Sequence, residues 1–343
     1  MIKLSMFFPP NSKLVALPNW KNKKLILQSA SMIQRWNISS FYPASRPMAK
    51  CYKLFLRGKA ALGFSQKKLS GINDWILKEF VSDQLPMVES AAALIGTPDP
   101  AQKITIQLLD IQDNVIGYLK YAEKKAACKR LKHEYRILSS LPSGLGPVPI
   151  KFGSFGNGLA LLILPLNGEK VKVTLPPPIE LVPFLQTLIL SQHYSLDKHP
   201  WLNYLKECGQ IDLDKWLEPL SGRDWPITIL HGDMTPWNMV RLPDNNYRLF
   251  DWEYGSVEGF PYIDMAYYML QVGALIYRFK PEKAYKYAEK FIISSCRCLL
   301  TKEETQSIIK LAAYSAINQA LEDGHSSDEP LQCWRYAIIN YRN

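Results

Sequence analysis

The sequence predicts an α+β protein of two lobes, a small antiparallel-sheet lobe with one helix followed by a larger, mainly helical lobe. Three observations predict it. The chain has 343 residues, long enough for two cores. Strand-like runs crowd residues 88–165, with one helical pattern among them. Beyond Pro165 apolar residues recur at helical spacing, except in a strand-and-hairpin insert from Ile227 to Asp251.

Residues 1–87 read as a basic extension outside the main core. Pro9, Pro10, Pro18, Pro43 and Pro47 interrupt them, and the apolar bursts Leu14-Val15-Ala16-Leu17 and Leu25-Ile26-Leu27 are short. Residues 1–73 hold thirteen Lys or Arg and no Asp or Glu, so the formal net charge of +10 divides into +13 there and −3 in the remainder. Such a block, interleaved with Trp20, Trp36, Phe41, Tyr52 and Phe55, suits an anionic membrane surface or an acidic glycan. A loosely packed, solvated basic tail is the alternative. Nucleic acid is not expected, because no helix-turn-helix, zinc-finger or RNA-binding signature accompanies the charge. A short helix is expected from about Asn73 to Val88.

Residues 88–165 form the expected sheet lobe. Ala91–Ile95, Lys103–Leu109 and Val115–Tyr121 read as strands, the last two joined by a polar turn at Asp110–Asn114. Glu123–Leu141 reads as a helix, with Ala127, Leu131, Tyr135 and Leu138 on one stripe and lysines on the wet faces. Ile150–Phe155 and Leu159–Leu164 follow as strands around Gly156-Asn157-Gly158, where Asn-Gly signals a tight hairpin. Residues 166–343 form the helical lobe, with helices expected near Ile179–Ser191, Tyr262–Tyr277, Pro281–Leu300, Lys302–Ala320 and Pro330–Tyr341.

No stretch approaches the ~18 apolar residues that span a bilayer, and prolines break the N-terminus before a secretory core develops. A cytoplasmic chain, with peripheral membrane contact as an added expectation, follows. The six cysteines, including Cys296-x-Cys298, lack zinc-site spacing and read as reduced thiols.

Chemistry concentrates in the insert. Ile227–Leu230 reads as a buried strand delivering His231-Gly232-Asp233 into a loop, and Asn238 comes five residues after Asp233. Met239–Leu242 and Tyr247–Phe250 read as a hairpin symmetric about Asp244 and Asn245, which would face Asn238 toward Asp251. A carboxylate and an amide oxygen side by side suit a phosphate-bound magnesium, with phosphates and waters completing the octahedron. Asp233 alongside can accept the proton of an incoming hydroxyl. Upstream, Glu134 points along the apolar helix stripe and needs a cation, for which Lys120 is the natural partner. His231 reads as a structural loop histidine, since His133, His193, His199 and His325 show no ligand spacing to it.

His231-Gly232-Asp233-x-x-x-x-Asn238 followed by Asp251-Trp252-Glu253 resembles the aminoglycoside phosphotransferases, choline kinases and related small-molecule kinases, which share the protein kinase-like fold. The resemblance implies ATP and Mg2+ as cofactors and a small-molecule hydroxyl as acceptor. It makes Asp233 catalytic and Asn238 and Asp251 metal ligands, and places Lys120, Glu134, Thr97 and Leu164 at the nucleotide. His231 and Asp264 become supporting residues; Asp264 reads equally well as a helix N-cap. Two positions depart from the family pattern. Gly96–Gln102 has one glycine where protein kinases have three, and Tyr118 stands where a small residue often lies under the adenine. The acceptor expected is a sugar or a glycan- or lipid-linked molecule. An aminoglycoside- or choline-type cation is the alternative, with Glu258, Glu322, Asp323, Asp328 and Glu329 as its candidate partners, and a non-catalytic kinase-like nucleotide-binding module is a third reading.

Overall fold

Val, Ile, Leu and Ala segments of the first 165 residues pair into one antiparallel sheet in the computed structural model, which describes residues 4–28, 31–44, 47–64, 66–69, 75–208, 211, 213–244, 246–296 and 299–341. The chain divides into two compact units, residues 1–135 with 147–165, and residues 136–146 with 166–343.

The first unit runs β1 (Lys13–Leu17), β2 (Leu25–Gln28), α1 (Met32–Ile38), α2 (Pro47–Ala61), β3 (Gln66–Lys68), α3 (Ile76–Val81), β4 (Ser90–Ile95), β5 (Ile104–Leu109), β6 (Val115–Ala122), α4 (Lys125–Ser140), β7 (Pro149–Phe155) and β8 (Gly158–Ile163). Its eight strands lie in the order β3-β1-β2-β4-β5-β6-β8-β7. Of the expected helix from Asn73 to Val88 only α3 forms, and Asn73 itself lies outside the described residues.

The placement of residues 1–87 outside the core is corrected here. Strand β2 pairs with β4 in the register Leu25↔Leu94, Ile26↔Ala93 and Leu27↔Ala92, so β1 and β2 continue the main sheet. Their residues alternate between two apolar layers. Leu14, Ala16 and Ile26 pack with Phe7, Ala93, Ile106 and Leu119 on one face. Val15, Leu17, Leu25 and Leu27 pack with Leu56 and Ala60 of α2 on the other. A strand buried on both faces shows no polar alternation, which is why these segments read as isolated apolar bursts.

The second unit contains β9 (Glu169–Lys170), α5 (Leu181–Thr187), β10 (Ile189–Tyr194), α6 (Pro200–Cys208), α7 (Asp214–Leu217), β11 (Trp225–Leu230), β12 (Met239–Arg241), β13 (Tyr247–Leu249), β14 (Ser256–Gly259), α8 (Ile263–Leu275), α9 (Pro281–Ser295), α10 (Lys302–Glu322) and α11 (Pro330–Ile339). Two three-stranded sheets, β10-β11-β14 and β13-β12-β9, lie within it. The helices bury a core that includes Trp225, Phe260, Met269, Tyr285, Ile308 and Ile338. Helix α10 opens on a capping box in which Thr301 and Glu304 satisfy each other's backbone N–H groups. The single helix expected near Ile179–Ser191 is instead α5 followed by β10, because Ile189 and its successors pair with β11, at Ile189↔Thr228 for one. No described helix is long and apolar enough to cross a membrane.

If β2 belongs to the main core, Ile26→Ala should lower unfolding free energy by about 2–5 kcal/mol in denaturant titration. A residue in a solvated tail would tolerate the change.

Candidate active site

Strand β11 ends at Leu230, and the next three residues turn sharply. Gly232 has a φ of 79°, and a Cβ there would lie 2.3 Å from the Tyr254 carbonyl oxygen, so this turn admits only glycine. The loop's first amides are held from below. The Asp264 carboxylate accepts the His231 N–H at 2.6 Å and the Gly232 N–H at 2.9 Å. Asp264 lies in the first turn of α8, whose N-cap is Tyr262, so its side chain serves the loop and not the helix end as the N-cap reading supposed. His231 is fully buried and bridges the other way. Its Nε2 donates to the Phe250 carbonyl at 2.9 Å, its Nδ1 accepts the Asp233 N–H at 3.2 Å, and its ring lies 4.8 Å from that of Trp252. These partners select the neutral imidazole with its proton on Nε2.

Asp233 is gripped at both carboxylate oxygens. Tyr267 Oη donates to Oδ1 at 2.7 Å and Asn238 Nδ2 to Oδ2 at 2.9 Å. Burial, reinforced by the charges of Glu253 and Asp251, pushes Asp233 up to about 7 against the pull of these two donors. Burial and the Asp233 charge hold the Tyr267 phenol well above its ordinary value, so it remains a donor at neutral pH.

Asn238 is oriented for a second task. Its amide nitrogen is committed to the Asp233 carbonyl at 3.0 Å and to Oδ2, which turns Oδ1 away from Asp233. The expected register needs correction by one residue. Met239 pairs with Leu249 and Arg241 with Tyr247, and Phe250 N–H donates to the Asn238 carbonyl at 3.0 Å, so Asn238 stands opposite Phe250. The ladder is symmetric about Asp244 alone. Leu242 N–H donates to the Asn246 carbonyl at 2.8 Å, and Asp244 Oδ1 accepts the Asn246 N–H at 3.1 Å, an Asx turn that makes the loop odd-numbered. Asn245 lies outside the described residues. Asp251 follows one residue beyond the ladder with a φ of 67°, a left-handed conformation that aspartate tolerates, and its charge acts on Asp233.

Would these residues fit a magnesium ion? Among the described residues no group of three or more His, Cys, Asp or Glu side chains could hold a metal. One amide oxygen turned outward and one nearby carboxylate are what a Mg2+ completed by phosphate and water requires. The residues fit.

In the first unit Lys120 Nζ is hydrogen-bonded to Glu134 Oε1, and both side chains are buried. Lys120 sits on β6 opposite Leu161, and Glu134 on the buried stripe of α4 with Ala127, Leu131 and Leu138. Glu134 Oε2 is buried without a hydrogen-bond partner, a cost of roughly 1–3 kcal/mol that a purely structural pair would be expected to avoid. Leu164 follows β8, half-buried, three residues beyond Leu161, and its N–H donates to the Val148 carbonyl at 2.9 Å. Thr97 is exposed on the loop between β4 and β5, which closes through Gly96 N–H to the Lys103 carbonyl at 2.9 Å and the Gln102 amide to the Gly96 carbonyl at 3.0 Å. Tyr118 fills its side of β6, taking a hydrogen bond from Gln107 at 3.3 Å and lying 5.9 Å from the Phe41 ring.

Tyr267 and Glu253 are the two site residues that motif spacing did not assign. Tyr267 follows Asp264 by three residues on α8, so the helical period alone puts both on one face.

No protein-family model matches the sequence, and no curated protein sequence matches it. Among solved structures the chain is similar to an ethanolamine kinase of Plasmodium vivax, at 13% identity over 84% of this chain and 87% of that one, with a TM-score of 0.46. It is similar to a putative fructosamine-3-kinase of Haemophilus somnus, at 13% identity over 77% and 95%, with a TM-score of 0.48. It is also similar to an aminoglycoside phosphotransferase of Streptomyces rimosus, at 13% identity over 70% and 97%, with a TM-score of 0.38.

Burial pushes Asp264 up to about 7, although its two N–H donors pull the other way. Between about pH 4 and pH 7 the folded protein therefore holds a proton that the unfolded chain has released. The contribution of this group to stability falls as pH rises through that window. Asp264→Asn should lower stability by roughly 2 kcal/mol in urea unfolding at low pH, and the gap to the wild type should narrow as pH approaches 7.

Proposed function

We propose that the chain is an ATP-dependent small-molecule kinase that transfers the γ-phosphoryl group of ATP to a hydroxyl of its acceptor. The observation that carries this is the state of Asp233, a carboxyl fixed at both oxygens on a loop that Asp264 clamps, with its proton affinity raised toward neutrality. Such a group is built to take a proton near physiological pH.

In the proposed reaction Asp233 accepts the hydroxyl proton as the acceptor oxygen bonds to the γ-phosphorus and the bridging bond to the β-phosphate breaks, releasing ADP. Tyr267 keeps Oδ1 in place, and Asn238 steadies Oδ2, so the proton-accepting lone pairs are aimed before the acceptor arrives. Asn238 Oδ1 and the Asp251 carboxylate would hold Mg2+, which neutralises developing phosphate charge when bound. Lys120, kept extended by Glu134, supplies positive charge for the α- and β-phosphates, with Thr97 and Leu164 as further nucleotide contacts.

For the acceptor we favour a neutral or anionic hydroxyl compound such as a sugar or a glycan- or lipid-linked molecule. Four of the five acids named for a cationic acceptor are drawn into local bonds, while Glu258 is exposed. Glu322 accepts from Tyr204, Asp323 from Tyr254, Asp328 from Ser326, and Glu329 pairs with His325. A panel of sugars, aminoglycosides and amino alcohols with γ-labelled ATP decides among acceptor classes.

Asp233→Asn preserves shape and removes the base. It should lower ATP consumption by at least about a hundredfold while leaving the melting temperature near that of the wild type. A fully active variant would end the proposal, and a wild type that binds ATP but transfers nothing to any acceptor would favour a non-catalytic nucleotide-binding module.

A further inference from the structure

Helix α2 carries apolar residues both where it is buried and where it faces water. Leu56 and Ala60 on one face are buried in the first unit's core. Met48, Tyr52 and Phe55, at spacings of four and three residues, nevertheless stand exposed in one stripe beside them, and Leu62 is exposed one residue past the end of the helix. Met48 is 87% exposed, Leu62 68% and Phe55 66%, and the Tyr52 and Phe55 rings stack with centroids 6.4 Å apart. Helix α1, packed on α2, adds Ile33 at 70% exposure. A helix on the surface of a water-facing lobe would place polar residues at these positions, and a contiguous exposed apolar stripe marks an interaction surface.

Charge selects the partner. Lys50 on α2 is exposed, as are Lys67 and Lys68 on the edge strand β3, where Lys68 pairs with Lys13 on the side of the sheet that α2 covers, and the first 73 residues contain no acidic residue. A second copy of the chain would present the same positive surface and be repelled. Nucleic acid would engage the lysines and leave Met48, Leu62 and Ile33 in water. An anionic bilayer satisfies both sets at once, taking apolar side chains at the acyl boundary while lysines reach the headgroup phosphates. We propose that the outward face of α2, with α1 and β3 beside it, docks the protein on an anionic phospholipid membrane. The inference does not depend on phosphoryl transfer.

Cosedimentation of the full chain with phosphatidylcholine vesicles, with and without phosphatidylserine, tests it and needs no nucleotide. Partition is expected only with phosphatidylserine and should weaken as salt is added. The double substitution Phe55→Ser with Leu62→Ser should lower it by roughly tenfold with an unchanged melting temperature. Lys67→Glu with Lys68→Glu, on an exposed edge strand, should lower it as well and serves if the first pair disturbs folding. Partition that ignores phosphatidylserine, or that survives both pairs, would overturn the inference. So would self-association in analytical ultracentrifugation that Phe55→Ser with Leu62→Ser abolishes.

Discussion

Two hydrogen bonds accepted by a single buried carboxylate organise the loop on which the proposed chemistry depends. Asp264 accepts the N–H groups of His231 and Gly232, and without it two backbone donors would be stranded below the protein surface. With them satisfied, Gly232 can adopt its left-handed turn against the Tyr254 carbonyl, and Asp233 emerges within reach of Tyr267 and Asn238. Helix α8 supplies both the clamp, Asp264, and the aiming group, Tyr267. The loop's geometry is thus fixed by a regular helix, which tolerates far less movement than a neighbouring loop would.

Electrostatics in this region follow from burial more than from any single partner. Asp233 and Asp264 are both pushed up to about 7 chiefly by loss of water, and each is pulled back by donors that prefer the charged form. Glu253 and Asp251 add to the rise at Asp233. In the proposed reaction a divalent cation would offset the negative charge that gathers here when nucleotide phosphates enter. In the first unit Lys120 and Glu134 illustrate the same principle with opposite signs already paired.

Much of this is legible in the amino-acid sequence alone. The strands β4 to β8 and helix α4 lie where periodicity and turn residues put them, and the buried Lys120–Glu134 contact follows from placing an acid on an apolar stripe. The departures have physical causes. Strands β1 and β2 are buried on both faces, so they lack the alternation by which a strand is recognised. The hairpin register differs by one because the Asp244 side chain builds an Asx turn, and side-chain turn chemistry cannot be read from residue counts. Residues 189–194 form a strand because β11 is available to pair with them, a tertiary choice that overrides local pattern. Tyr267 is within reach of the sequence, three residues past Asp264, but a tyrosine on an apolar helix reads first as core.

The central proposal is that Asn238 and Asp251 would hold a metal ion whose coordination a nucleotide completes. Water-proton relaxation with Mn2+, a paramagnetic stand-in for Mg2+, measures this directly and requires no knowledge of the acceptor. Mn2+ should bind weakly to the protein alone, much more tightly once ATP is added, and the ATP-dependent enhancement should vanish in Asp251→Asn. Mn2+ binding that is indifferent to ATP, or an enhancement that Asp251→Asn leaves intact, would contradict the account.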